Sequence, residues 1–286
     1  MLKDMNPNTS LPDEITLEIK SGITLAGDDY SIEKLKIWYE QEENAYFDSE
    51  SDTGEIDQWY QYAYFVNKKL LYSKIPSSID KPCIAFLGPG TGEEAWDLYQ
   101  SLPSSSLIFI ESSKDFQKIL SNKFPDSSIV NPLISGDIDL EDSSVDIFCT
   151  FSVLHHIANV SHVMEEIYRV LKPGGKLLIK EPCSSMGDWR FPRTTCPNER
   201  GISPKFFQQS AEKIGFSSKL EKSPIIFDPL NKFLKKFNLY NFLSFQTIYI
   251  IDTIISKILA LNNFYWRDSF FKKLGPSNFV YTLTKK

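Results

Sequence analysis

One stretch, Lys81-Pro82-Cys83-Ile84-Ala85-Phe86-Leu87-Gly88-Pro89-Gly90-Thr91-Gly92-Glu93-Glu94, restricts the possible folds more than any other part of the 286-residue chain. Cys83 to Leu87 is an apolar run of buried-strand length. Glycines follow at 88, 90 and 92, and then a helical pattern holding Ala95, Trp96, Leu98 and Tyr99. Strand, glycine turn and helix open a nucleotide-binding α/β sheet. Glycine suits such a turn because positive φ costs it nothing and no side chain blocks an approaching ligand. Alone, the turn also fits any α/β protein with a tight connection. Its spacing narrows the choice. A dinucleotide fingerprint needs glycine at the first, third and sixth positions, and the sixth here is Glu93, followed by Glu94. Carboxylates in a first helical turn suit the helix dipole but repel a pyrophosphate on the same N-terminus. The turn therefore points away from nicotinamide and flavin dinucleotides and leaves a nucleoside without phosphates open.

The next segments extend the same sheet. Leu107 to Ile110 reads as a second strand ending in Glu111, 19 residues after Gly92. That is where an acid accepts hydrogen bonds from ribose hydroxyls. A third strand is expected within 128–135. Pro132 removes a ladder donor there and makes it an edge, which agrees with a sheet of order 3-2-1-4-5. Residues 145–150 read as the fourth strand. Residues 159–171 form an amphipathic helix with Val160, Val163, Met164, Ile167 and Leu171 on one face, stopped by Pro173-Gly174-Gly175. Residues 176–180 are the fifth strand, ended by Glu181-Pro182. The loop 183–203 is long enough to be a lid and carries Trp189, Arg190, Arg193 and Cys196. A helix from Ser203-Pro204 to Ile214 and strands over 217–227 and 278–284 complete the pattern.

Residues 1–80 are expected to form an N-terminal helical cap or arm before a domain at 81–286. Within it, 1–29 reads as irregular, Ser31 caps a helix to about Glu43, 44–55 reads as an acidic loop, and 58–72 is an aromatic-rich helix. An insertion at 228–276 precedes the last strand. Its residues Ile251, Ile254, Ile255, Ile258 and Leu261 make one helical stripe, and Asp252, Thr253, Ser256 and Lys257 the other face. Charges interrupt it too often for a span of about 20 apolar residues. Core packing, a homodimer face, a substrate lid and a membrane-surface helix all stay open for it.

Hydrophobic residues at 42% and charged residues at 24% are ordinary globular composition. A net charge of -6, with no basic stripe, disfavours a nucleic-acid partner. The four cysteines lie far apart without a C-x-x-C pair, so they read as inert reduced thiols and no metal is expected. Met1 to Ser21 lacks the apolar core of a signal peptide, and the expected compartment is the cytoplasm.

Several strings combine in order: Leu87-Gly88-Pro89-Gly90-Thr91-Gly92, Glu111, Gly136-Asp137, Asp146-Ile147-Phe148-Cys149-Thr150-Phe151-Ser152-Val153-Leu154-His155-His156, and Arg169-Val170-Leu171-Lys172-Pro173-Gly174-Gly175-Lys176-Leu177. In spacing they resemble a class I S-adenosylmethionine-dependent methyltransferase of the broad type 11 group. The resemblance covers about 82–227 and the last strand, and leaves out 1–80 and 228–276. It implies a Rossmann-like seven-stranded methyltransferase sheet with helices on both faces, S-adenosyl-L-methionine as cofactor, and a small-molecule or lipid- or sugar-type methyl acceptor. It further implies that Gly88, Gly90 and Gly92 meet the methionine part of the cofactor and that Glu111 holds the ribose. Asp137 and the Ile138 backbone would recognise the adenine edge, and Phe151 would contact the methionine moiety. One departure is Phe86, which stands where the family carries an acid supporting the cofactor's amino group. A catalytically degenerate member that serves as a binding module is therefore the rival reading. A third, an aminopropyl transferase, lacks its acidic diad here.

Methyl transfer from a sulfonium releases a neutral leaving group, so alignment is the main demand. A hydroxyl or amine acceptor must also lose a proton to a base. The candidates at the strand tips are His155, His156, Glu181 and Asp188. Arg190 and Arg193 could clamp an anionic acceptor, with Trp38 and Trp59 lining its pocket.

Overall fold

The computed structural model describes residues 9–49, 58–77, 79–102, 105–193, 196–217 and 221–286, the side chains of 44–49 excepted. Three helices come first: α1 (Leu17–Ser21), α2 (Ile32–Ser49) and α3 (Gln58–Leu70). α2 runs past its expected end near Glu43, so 44–49 is helix and not loop. Acidic composition alone does not signal a loop, and the segment holds no Gly or Pro to stop the helix. The remainder of the expected loop lies outside the described residues.

The sheet and its helices follow in alternation. They are β1 (Cys83–Leu87), α4 (Glu93–Ser101), β2 (Ser106–Ile110), α5 (Lys114–Lys123), β3 (Ser128–Val130), β4 (Val145–Phe151), α6 (Val160–Val170) and β5 (Leu171–Pro182). Next come α7 (Pro204–Ile214), β6 (Glu221–Ile225), α8 (Asp228–Lys236), α9 (Phe245–Leu259), α10 (Phe270–Lys273) and β7 (Asn278–Thr284). The seven strands lie in the order β3-β2-β1-β4-β5-β7-β6. β1 to β5 pair in parallel, and β7 is antiparallel between β5 and β6.

Two local expectations are corrected. β3 is the edge strand but ends at Val130, so Pro132 lies beyond it and does not occupy it. A proline does sit in the opposite edge strand, Pro224 in β6, where a missing ladder donor is tolerated. Pro173-Gly174-Gly175 does not stop α6, which ends at Val170. These residues lie inside β5 as an irregularity, where the register against β4 shifts between Val145↔Leu171 and Ile147↔Lys176.

Each face of the sheet is covered. One cluster joins Phe148 and Leu177 to Val163, Met164 and Ile167 of α6 and Phe207 of α7. The other joins Phe109 and Cys149 to Leu98, Leu120, Tyr62, Val66 and Ile248. A third, smaller cluster holds the arm: Leu11, Leu35, Trp38, Ala158 and Trp189. Polar bonds fasten the arm to the 183–203 loop. Trp189 Nε1–H donates to the Pro12 carbonyl at 2.9 Å, and the Ser10 amide donates to Asn198 Oδ1 at 2.8 Å.

The insertion is built against expectation, because α9 turns its polar side inward. Asp252 has 0% exposure and accepts from the Tyr62 hydroxyl (2.7 Å), the Ile226 and Phe227 amides (3.1 and 2.8 Å) and Ser256 Oγ (3.1 Å). Burial pushes its carboxyl pKa up, opposed by those bonds. The apolar stripe faces out, with Ile254 55%, Ile258 66% and Leu261 98% exposed. Core packing of the stripe is thereby overturned.

Candidate active site

Strand ends place the candidate residues. Gly88, Gly90 and Gly92 all adopt positive φ (56°, 55° and 75°) as the chain leaves β1 and enters α4. Two of them are also sterically required. A Cβ on Gly88 would lie 2.8 Å from Val153 Cγ1, and one on Gly92 would lie 2.7 Å from the Phe124 ring. Gly88 therefore abuts the segment after β4, which brings the glycine turn and the β4 tip together. A Cβ on Gly90 would meet nothing within 4 Å, so this position faces open space. Glu111, 5% exposed at the β2 tip, accepts the Gly90 amide (3.1 Å) and the Ser113 amide (2.9 Å). One carboxylate thus ties the turn to the neighbouring strand.

The residues expected at the adenine edge lie beside α6. Asp137 accepts from Ser135 Oγ at 2.7 Å and pairs with His162 Nε2 at 2.7 Å. These bonds hold its carboxyl below the usual range. The Ile138 amide donates to Glu166 Oε2 at 3.0 Å, so recognition of a base edge by this amide requires exchange of that bond. Phe151 is buried at the end of β4, against Phe86 and Tyr72. Phe86 joins this aromatic cluster through Phe109 as well. A charge does stand nearby. Lys180 Nζ, beneath the Phe151 ring, pairs with Glu94 Oε1 at 2.8 Å, and Asn67 Nδ2 donates to the same oxygen at 2.8 Å.

Beyond β4 the chain turns sharply through Ser152, a non-glycine residue at φ 59°. This conformation is costly and persists only where the surroundings enforce it. Its effect is to aim the Val153 and Leu154 amides at Glu181. Both donate to Oε1 at 2.9 Å, and His155 Nδ1 sits 2.7 Å from Oε2. Glu181 is fully buried. An ionised carboxylate only accepts, so the proton of a neutral His155 lies on Nδ1 and its Nε2 is a bare acceptor. Burial, then the neighbouring His156, pulls the His155 pKa below 6.5. His156 behaves oppositely. Burial disfavours its charge, but the Glu42 bond at 2.8 Å and the fields of Glu42 and Glu199 outweigh it and raise the pKa. Glu199 Oε1 lies 3.5 Å from His156 Nε2 and 3.9 Å from His155 Nε2.

The structure thus collects His155, His156 and Glu181 and adds three residues not anticipated, Glu42, Glu199 and Arg200. Arg200 is 0% exposed and donates to the carbonyls of Ala26 (2.8 Å), His155 (3.1 Å) and Ala158 (2.8 Å) beneath the Trp38 ring. The run Asn198-Glu199-Arg200 inside a long loop was the available signal. Glu42 had none, being one acid among several on α2. Among the described residues, two clusters bring metal-ligating atoms within 4.8 Å: His155, His156 and Glu199; and Glu42, His156 and Cys196. Burial and the fields of Glu42 and Glu199 push the Cys196 thiol up to about 12, which keeps it protonated.

The expected acceptor residues are dispersed. Trp38 is fully buried, its Nε1–H donating to the His156 carbonyl at 2.7 Å. Trp59 lies on α3, half-buried against the sheet. Arg190 forms a two-pronged pair with Asp188 at 2.9 and 2.7 Å. Arg193 donates to the Met186, Cys196 and Pro197 carbonyls of its own loop.

Comparison with known proteins matches residues 86–179 to a methyltransferase-domain family and residues 134–247 to a second methyltransferase-domain family. An uncharacterized methyltransferase of Schizosaccharomyces pombe is 35% identical over 95 residues, 32% of this chain and 36% of that protein. The chain spans about a third of the length of the curated relatives it matches. Among solved structures, a SAM-dependent methyltransferase from Archaeoglobus fulgidus superposes with a TM-score of 0.51 at 16% identity, covering 78% of this chain and 94% of that one. The [4+2]-cyclase SpnF superposes with a TM-score of 0.51 at 15% identity, covering 82% and 84%.

Proposed function

We propose that this chain, whose residues 86–179 and 134–247 match two methyltransferase-domain families, binds S-adenosylmethionine at the glycine turn and transfers its methyl group to a small-molecule, sugar-type or lipid-linked acceptor. The observation that carries this reading is the Gly90 cradle. Its backbone is open where a Cβ would sit, and a buried acid, Glu111, stands directly behind it. That arrangement fits a nucleoside ligand with a ribose and no phosphate. Gly88, Gly90 and Gly92 would admit its methionine part, Glu111 its ribose, Asp137 and Ile138 its adenine, and Phe151 would close the apolar side. The bound cofactor would supply a methyl group on a sulfonium.

On the acceptor side, His155 takes the proton of a hydroxyl or amine. Glu181 fixes its tautomer with Nδ1–H inward and Nε2 bare, and its lowered pKa keeps it unprotonated near neutrality. His156, Glu42 and Glu199 form the polar wall beside it. A cyclase shares this fold, so the reaction needs its own test. Calorimetry should give micromolar binding of S-adenosylmethionine or its demethylated product. Glu111→Gln should weaken it by about 2 kcal/mol, one charge-assisted hydrogen bond or slightly more. His155→Gln should spare that affinity and abolish turnover. Binding of NAD with none of S-adenosylmethionine would overturn the reading.

A further inference from the structure

We propose that the α9–α10 surface docks this protein onto an anionic lipid bilayer. Ile250, Ile254 and Ile258 recur at helical spacing along the outer side of α9, and Leu261 continues the row in the turn that follows. Over its 15 residues that side is about 22 Å long. The helix cannot roll to bury it. Asp252, on the opposite side, would lose four hydrogen bonds inside the protein. Asn262 Nδ2 donates to the carbonyls of Phe271 and Leu274, both at 2.6 Å, which joins α10 to the end of α9. Phe270 and Phe271, 71% and 76% exposed, extend the patch there. A contiguous exposed apolar face of this kind marks an interaction site.

Charge identifies the occupant. Residues 228–276 hold seven Lys or Arg against three Asp or Glu, whereas the rest of the chain holds 24 against 34. Lys257 lies on the flank of the α9 stripe, and Lys272 and Lys273 directly follow the two phenylalanines. The acidic body is repelled by an anionic surface and the basic insertion is attracted, so the molecule is oriented with this face down. A second copy of the chain fits less well. Twofold pairing sets a patch against itself, which would bring the lysines of both copies into one interface, and interface cores are depleted in lysine. On a bilayer, lysine stems lie along apolar surface while the ammonium groups reach the headgroups. No helix among the described residues is long and apolar enough to cross a membrane, so the contact is at the surface.

The proposal is independent of methyl transfer and is tested without cofactor. The full chain is floated with vesicles of phosphatidylcholine alone and of phosphatidylcholine with phosphatidylserine. Binding to the anionic vesicles is expected, with little to the neutral ones. The variant carrying Lys257→Glu, Lys272→Glu and Lys273→Glu should bind about 100-fold more weakly, each basic residue near an anionic surface contributing about fivefold. Leu261→Asp with Phe270→Asp should abolish binding and leave the melting temperature unchanged, because both side chains are exposed. Absence of vesicle binding, or equal binding to neutral vesicles, overturns the proposal. So does a dimer in ultracentrifugation that the Leu261→Asp, Phe270→Asp variant dissociates, which would assign the face to a second copy. Calorimetric cofactor binding by the same variants separates either failure from failure of the methyltransferase reading.

Discussion

α6 and α9 carry apolar stripes of similar spacing and use them in opposite ways. In α6, Val160, Val163, Met164, Ile167 and Val170 are all buried against the sheet. In α9, the comparable residues point to solvent, and the buried positions are Ile248, Asp252 and Ser256. Periodicity identifies a stripe; it does not say what the stripe faces. The deciding factor in α9 is a carboxylate with four donors waiting for it, among them two backbone amides just beyond β6. A buried amide without a partner costs about as much as a lost hydrogen bond, and α9 satisfies both at once.

Truncation gives the largest separation between the two helices. Ile167→Ala should cost about 2–5 kcal/mol, and Ile258→Ala should change stability by no more than about 0.5 kcal/mol, both read from urea unfolding. Equal costs would mean that the α9 stripe is packed in solution. The next effect concerns the anchor. Asp252→Ala strands the Ile226 and Phe227 amides and the Tyr62 hydroxyl, and should cost about 3 kcal/mol. A loss below about 1 kcal/mol in the same measurement would mean that water replaces the carboxylate, leaving α9 free to turn.

The smallest effect contrasts a buried histidine at the strand tips with the buried acid of the insertion. The folded pKa of His155 lies below its unfolded value, so its contribution to stability is present above about pH 6.5 and is lost as pH falls through the lower folded value. Asp252 has a raised pKa, so its contribution is present at acid pH, below about 3.8, and is lost as pH rises through the folded value. Melting temperatures followed from about pH 7 to pH 5 should therefore fall less steeply in His155→Gln than in the native chain. Identical slopes would show that His155 does not titrate in this window.

What the sequence made legible was local. The glycine turn after β1, the Ser203-Pro204 start of α7, and the acid at the β2 tip each depend on residues a few positions apart. What it concealed depends on distance. Tyr62 and Asp252 are 190 positions apart, and His156 and Glu42 are 114 apart. The α9 stripe read equally well as core packing, because nothing near residue 252 announces the tyrosine and amides that draw it inward. Pro173-Gly174-Gly175 misled for a related reason. The strand pairing of Leu171 with Val145 lets β5 begin before the glycines, which local stop signals cannot reveal. The cluster around His155 and His156 stayed hidden because Glu42, Glu199 and Arg200 gain meaning only once the arm lies on the loop.

That last contact has a consequence for biosynthesis. Arg200 reaches Ala26 across 174 residues, and Trp189 reaches Pro12 across 177. The arm leaves the ribosome long before the guanidinium and indole that receive it. Until they emerge, Leu11 and Trp38 have no surface to cover them. Contacts of such wide separation pay their loop-closure entropy late and form slowly. These contacts cannot form until residue 200 has been made, and until then the apolar side chains of the arm lack the surface that covers them in the folded protein.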